Sequence, residues 1–467
     1  MTAVRTSMVW PARIPVVLAV AVSGVVLSGG VAEAATVSVP GDFATIQAAL
    51  NAAAPGDTVR VAPGQYPEQL NFQGKDVRLE SSEGPAATEL AVPGGQGVQI
   101  GPAGAFVGFT VTGAIADFGA GIQVSGEGTL IQGNVFDGNA QTAGGFGAAI
   151  GGNIASPRID RNVFRNNSCD DQFLSGVVSF VNDSSPRITN NLFHDNPCRA
   201  VNLTLPESTA PRVVNNTMVG NAAGIYVDGR VPSAAQVLRN NLLVDNTIGF
   251  QVRFGNPGDE PTFENNDVFG NRTDYDGIAD QTGLNGNISA DPLFVDPAAR
   301  DLHLKTGSPA VDAGSAVDAP DTDFDGDHRP VDGDANGVAG FDLGADELTA
   351  TVGPAVAIDV RPGSIGNRIS LREDRAVPVA VLSGPGFAAP SAVDRTSLTF
   401  GRTGTEASLE RCDRRGRDVN ADGRADLVCA FHVRTTGLRV GDRIANLTGK
   451  LTAGGTFTAK DTVHVVR

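Results

Sequence analysis

Short apolar runs broken at regular intervals by asparagine dominate the middle of the chain, and the phrase Asn-x-apolar-x-x-Asn recurs between Asn134 and Asn271. Its copies begin at Asn134, Asn162, Asn191, Asn216, Asn241 and Asn266, spaced 28, 29, 25, 25 and 25 residues apart. A nearly constant period of this size marks stacked repeats rather than one globular core. The runs hold three to five residues and are rich in β-branched side chains, so each repeat reads as a coil of short strands. Parallel pairing with the next coil, about 4.8 Å away, would stack Ile159, Ile188, Val213 and Leu238 into one inward ribbon, and Phe164, Phe193, Met218 and Leu243 into another. Asparagine suits the bends because it tolerates a left-handed backbone and because its amide can bond the equivalent amides above and below.

The pattern changes at both ends of the repeats. Residues 42–53 place Phe43, Ile46 and Leu50 at helical spacing with Asp42 as N-cap, and Pro55-Gly56-Asp57 stops that helix before a strand at Thr58. Such a helix would act as a lid over the exposed end of the stack. In the two longer repeats the extra residues fall at about 140–147 and 168–176. Insertions at one place in consecutive coils would build a local wall, and function in solenoids usually lives on such loops.

On these Asn phrases, residues 36–310 resemble a right-handed parallel β-helix of the pectate-lyase-like superfamily, and Thr45-Ile46-Gln47-Ala48-Ala49 up to Gly64-Gln65-Tyr66 resembles the opening of many secreted β-helix proteins. Leu302 to Gly314, followed by Gly344-Ala345-Asp346-Glu347, resembles their closing segment. From Val356 onward the chain alternates as strands do, and Ile358 to Gly363 with Asp418 to Asp426 resembles a β-sandwich domain found at the ends of exported bacterial proteins. The resemblance implies an all-β fold, and after a signal peptide (1–34) the chain divides into a parallel β-helix (35–310), an Asp-rich closing segment and linker (311–353) and a β-sandwich (354–467). It implies little about any one activity.

Charge and targeting narrow the partners. The 467 residues carry a formal net charge of −17, which argues against nucleic acid and anionic lipid. Arg5 and Arg13, the apolar run Ile14 to Leu27 and the small-x-small site Ala32-Glu33-Ala34 read as an export signal rather than a membrane span. The expectation is a secreted or cell-surface monomer. Cys169 and Cys198 each sit seven residues after their repeat Asn, so register would set them side by side and leave Cys412 to pair with Cys429. Four buried free thiols are the alternative.

Candidate chemistry gathers near the second insertion. Register stacks Asp137, Arg165 and His194 in one outward column, with Asp170, Asp171, Asp195 and Arg199 nearby. Elimination from a uronate needs a base such as Arg or His and a cation, whereas hydrolysis needs two carboxylates, for which Asp170 with Asp195 or Asp137 would serve. These residues read equally well as solvated loop positions pinned by a disulfide. The calcium and Arg signatures of the lyases are missing, as is the complete set of hydrolase motifs. Pro-Arg recurs at Arg158, Arg187 and Arg212. Stacked guanidinium groups repel unless an anion lies between them, whether a carboxylated glycan or the chain's own acids such as Asp160.

Alternate oxygen-bearing side chains followed by glycine suggest calcium loops. Asp418, Asn420, Asp422, the Arg424 carbonyl and Asp426 form the clearer one; Asp332, Asp334, Asn336, the Val338 carbonyl and Asp342 form a second, and Asp321 to Asp327 a fainter third. Together these features lead to an exported protein that binds, with cleavage left open, an extracellular polysaccharide, calcium being structural. The rival is a non-enzymatic surface or matrix protein whose coils project the last domain.

Overall fold

The computed structural model describes residues 34–467 apart from 171–172, 205–208, 229–235, 254–260, 335, 350–355, 365, 373, 385–386 and 453–455. Residues 1–33 of the expected leader, Asp171 and the Gly353-Pro354 junction lie outside the described residues.

The repeats wind into a right-handed parallel β-helix of about 9 turns. One face is a nine-stranded sheet with one short strand per coil, from Gly64–Tyr66 through Val135–Asp137, Val163–Arg165 and Leu192–His194 to Asp267–Phe269. Two further faces pair in parallel in the same way, and strands Ile122–Gln132 and Ile150–Asp160 run across both. The middle residue of each short strand points inward. Phe136, Phe164 and Phe193 therefore stack with centroids 5.1 and 4.5 Å apart, and Met218, Leu243 and Val268 continue their column. Where Phe180 enters the core, the preceding coil carries Gly152, whose absent Cβ would lie 2.3 Å from the ring.

Two asparagine ladders run along the bends. Asn134, Asn162, Asn191, Asn216, Asn241 and Asn266 each pass an amide N–H to the next side-chain oxygen at 2.9–3.2 Å, the last of them to Asn287. Asn139, Asn167, Asn196, Asn221 and Asn246 do the same at 2.8–3.1 Å, ending at Asn271. The left-handed backbone belongs to a different residue: Arg161, Asn190, Asn215, Asn240 and Asn265, each just before a ladder asparagine, have φ of 50–55°. Gly138, Gly220 and Gly270 hold the corresponding place before the second ladder. One asparagine was expected to do both jobs; the structure divides them because the ladder side chain must face inward while its neighbour turns the corner.

The first helix is shorter than the spacing predicts. It spans Ile46–Ala52, and its N-cap is Thr45, whose hydroxyl accepts from Ala48 N at 3.2 Å. Asp42 instead accepts from Ser38 N, and Phe43 precedes the helix. The Glu68 carboxylate receives the first-turn amides of Ile46 and Gln47 at 2.9 Å each, where a negative charge suits the helix start. Ile46, Ala49 and Leu50 are buried in the solenoid's own core, so the helix does close that end.

Both disulfides are present. Cys169 and Cys198 lie in adjacent coils with Cα atoms 5.8 Å apart, and Cys412 faces Cys429 across an antiparallel strand pair. The C-terminal region holds a four-stranded sheet (Ile358–Val360, Ala376–Val381, Leu427–His432, Leu409–Cys412) and a three-stranded one (Val393–Gly401, Ile444–Leu451, Thr456–Thr462). Val379 and Phe431 of the first share a hydrophobic cluster with Phe400 and Leu447 of the second.

Candidate functional site

Each outward face of the solenoid has a different cover, and the cover decides what its side chains can do. On the nine-stranded face the predicted column is in register, with Asp137 beside Arg165 and Arg165 beside His194. Arg165 Nε donates to Asp137 Oδ2 and Asn166 to Asp137 Oδ1, both at 2.8 Å. His194 is only 8% exposed, and its Nδ1 sits 2.9 Å from Asp195 Oδ2. Arg300, 105 residues onward, also bonds Asp195. Burial raises the Asp195 pKa, but the bonds from Arg300 and His194 outweigh it and hold the carboxylate below its ordinary range.

That reach across sequence reflects a cover the repeat does not announce. Phe294, Leu302, Leu304, Ala310 and Leu343 pack on Val219, Leu242 and Val244, the apolar outward residues of the later coils. The closing segment thus lies across this face. A buried ion pair braces the segment internally: Arg329 Nη1 donates to Glu347 Oε2 at 2.7 Å, both side chains being 0% exposed, and Arg329 also bonds the carbonyls of Gly344 and Ala345.

Around the inserted loop the nominated residues serve packing. Asp170 accepts from Gln141 Nε2 at 2.9 Å, from Gly144 N at 2.8 Å and from the Ser175 hydroxyl, tying both insertions together. The expected wall is real: Ala140–Phe146 pairs with Ile115–Phe118, and Ala140 bridges to Ser168. Arg199 places its guanidinium 4.7 Å over the Tyr226 ring and donates to the Ser175 carbonyl. Among the described residues Asp137 thus pairs with Arg165 and His194 with Asp195, while Asp170 and Arg199 both reach Ser175, one through its hydroxyl and the other through its carbonyl.

Arg158, Arg187 and Arg212 do stack in register on the second face. The anion between them is the chain's own. Arg158 lies 3.4 Å from Asp160, Arg187 donates to the Asp318 carbonyl at 2.7 Å, and Arg212 lies 3.4 Å from the Asp318 carboxylate. Arg239 joins the same Asp318 at 3.5 Å.

The third face carries a feature the motif search passed over. Asn71, Gln99 and Gln123 occupy consecutive register positions. Asn71 Nδ2 donates to Gln99 Oε1 at 2.8 Å, Gln99 to Gln96 at 2.6 Å, and Gln96 to Gln123 at 3.1 Å. At the other end Gln47 donates to Asn51 and accepts from Asn71 N. Asn71 and Gln99 are exposed, and beside the stripe stand Phe118, 44% exposed, and Ile115, 50% exposed. Gln96 donates to the Phe118 backbone carbonyl, so the strand that carries the ring is tied to the stripe. The signal was available in sequence as amide side chains recurring at 71, 99 and 123.

Residues 96–268 match the family model described as a right handed beta helix region. Among solved structures, the chain is similar to pectate lyase Pel9A at 13% identity, covering 68% of this chain and 98% of that one, with a TM-score of 0.30. A likeness that weak bears on neither substrate nor activity. No curated protein matches.

The Asp-rich loops are chains of side-chain turns. Asp332 accepts from Asn336 N and Gly337 N, and Asn336 Oδ1 accepts from Val338 N. Asp332 and Asp334 come together with Asp312, which the motif does not contain. Asp342 stands apart from them: its oxygens accept from Asp312 N and Leu348 N at 2.7 Å each, and burial, helped by Glu347, pushes its pKa to about 8. In the C-terminal loop Asp418 accepts from Ala421 N and Gly423 N, and Asp422 from Arg424 N. Asp426 is fully buried; one oxygen accepts from Ser383 N and the other from Val419 N of the loop itself. A mixed group the sequence reading missed is His303 with Asp325 and Asp346. Although burial lowers the His303 pKa, Asp301 and Asp325 raise it to about 9.

Proposed function

We propose that the solenoid is an exported binding element for a neutral extracellular polysaccharide, which lies along the amide stripe of the third face. The observation that carries this reading is the linked run of uncharged amides from Gln47 to Gln123 beside the exposed Phe118 ring. Each primary amide offers both donors and acceptors, as sugar hydroxyls require, and an aromatic face suits a sugar ring's apolar side. Coils repeat about every 4.8 Å, so the stripe can meet successive units of an extended polymer. A net charge of −17 disfavours uronates, and the arginines nominated to receive them are engaged with the chain's own acids and carbonyls. The carboxylates nominated for hydrolysis are likewise tied into packing contacts, which favours binding over cleavage. Calcium in the 332 and 418 loops belongs to this reading as a structural ion.

The test is a binding screen of the purified chain against neutral and uronate-rich glycans, with and without chelator, recording new reducing and unsaturated ends. The expected result is retention by a neutral glycan, lost in a Gln99→Ala, Gln123→Ala double variant, with no new ends. Binding confined to uronates, or release of product ends, would overturn it. A chain that binds no glycan fits the rival reading, a spacer that projects its C-terminal sheets.

A further inference from the structure

We propose that His303, Asp325 and Asp346 form a binding site for a divalent first-row transition metal of zinc type, which clamps the closing segment onto the solenoid. This site is independent of the polysaccharide reading and lies outside the calcium-type motifs. One ligand atom from each of the three residues falls within 4.8 Å of the others.

The donors are held by backbone that is already fixed. His303 lies on a strand, Asp301–Leu304, paired antiparallel with Phe294–Asp296. Its neighbours Leu302 and Leu304 are 4% and 2% exposed in the cluster that covers the nine-stranded face, so strand alternation turns the imidazole outward. Asp325 sits in a tight turn whose backbone amides at 325, 326 and 327 all donate to Asp323 Oδ1. Asp346 uses Oδ2 to accept from Leu304 N at 2.7 Å, which leaves Oδ1 open.

The second observation is the orientation of the ring. Asp301 Oδ1 pairs with Nδ1, while Nε2 points at Asp325 Oδ2, 2.9 Å away. A carboxylate on the far ring nitrogen is the usual support of a metal-bound histidine, and an ion at Nε2 would take the place of the Nε2–Asp325 hydrogen bond. Asp301 and Asp325 both bond this imidazole and Asp346 stands close by, so even a protonated ring leaves the group anionic. Of the nearby cations, Arg329 is committed to Glu347. An imidazole among the ligands favours a zinc-type ion over calcium, which takes oxygen donors.

The consequence is mechanical. His303 belongs to the hairpin that leaves the solenoid, whereas Asp325 and Asp346 belong to the segment that folds back over it. An ion would join them where the apolar cover ends. The ion must displace any proton on Nε2, so affinity should rise with pH.

The test uses the full chain stripped by chelator and titrated with zinc chloride by calorimetry, then with cobalt(II) to record ligand-field absorption. The expected result is one equivalent bound, its loss in His303→Gln, and about 10–100-fold weaker binding in Asp301→Asn. His303 is half exposed, so the variant should keep the fold, checked by circular dichroism. Zinc bound equally by His303→Gln, or lost instead in Asp332→Asn, would overturn the site. So would no uptake together with a His303 ring that nuclear magnetic resonance shows doubly protonated with zinc present, for the imidazole would then be only a charged bridge.

Discussion

The nine-stranded face and the amide face belong to one solenoid, yet the first is sealed over its later coils and the second is open along its early ones. On the sealed face the outward positions in the later coils are Val219, Leu242 and Val244, and the closing segment supplies Phe294, Leu302 and Leu343 to meet them. On the open face the outward positions in the early coils are Asn71, Gln99 and Gln123, which are linked to one another, through Gln96, and need no cover. The difference teaches that stacking fixes where a side chain stands, while whatever lies over it fixes its chemistry. Asp195 shows this best, since it reads as a candidate acid in the repeat and serves as the latch for Arg300 in the fold.

The comparison can be broken by substitution. The largest effect is expected at neither face but in the ladder that supports both. Asn216 donates to Ile188 O, Val214 O and Asn241 Oδ1 and accepts from Asn191, all of it buried. Asn216→Ala should cost about 3–5 kcal/mol in chemical denaturation, because several buried polar groups lose partners together.

Next comes the sealed face. Asp267 is fully buried, its Oδ2 has no hydrogen-bond partner, and burial pushes its pKa to about 7. The folded state therefore keeps a proton that the unfolded chain releases near its ordinary carboxylate pKa. Stability contributed by this group falls as pH rises from about 4 to 7 and levels off above. Asp267→Asn should remove that slope and leave the protein about 3 kcal/mol more stable at pH 8, read from melting curves across pH. A destabilised variant at pH 8 would show the carboxylate is needed there.

Smaller effects separate the faces. Arg300→Ala removes a partly exposed pair with Asp195 and should cost no more than about 1 kcal/mol, since the apolar cover holds without it. Gln99→Ala on the open face should change stability by less than about 0.5 kcal/mol. A larger loss would mean the stripe is a structural ladder like those at the bends.

The solenoid was legible because its period is carried by residues that touch their own counterparts. Phe164, Phe193 and Met218 pack against one another, so the spacing in sequence is the spacing in space. Cys169 and Cys198 follow from the same register. Non-repeating contacts were hidden. Asn287 extends the first ladder after a gap of 21 residues and carries no full phrase to mark it. Arg300, Asp318 and Asp346 come from a segment with no period, so their meetings with Asp195, Arg212 and His303 could not be read from spacing. The amide stripe was missed for another reason: uncharged side chains do not announce chemistry singly, and only their alignment makes them notable.

The bridge between Cys169 and Cys198 has a consequence under load. Coils hold only their neighbours, so a pull on the two ends would peel them away one at a time from an exposed terminus. When peeling reaches this pair, the stretch between the cysteines, a sequence separation of 29, cannot pay out. At about 3.4 Å per extended residue, roughly 100 Å of contour length stays locked until the bond is reduced, so a tether anchored in a reducing bath should stretch further than the same tether in an oxidising one.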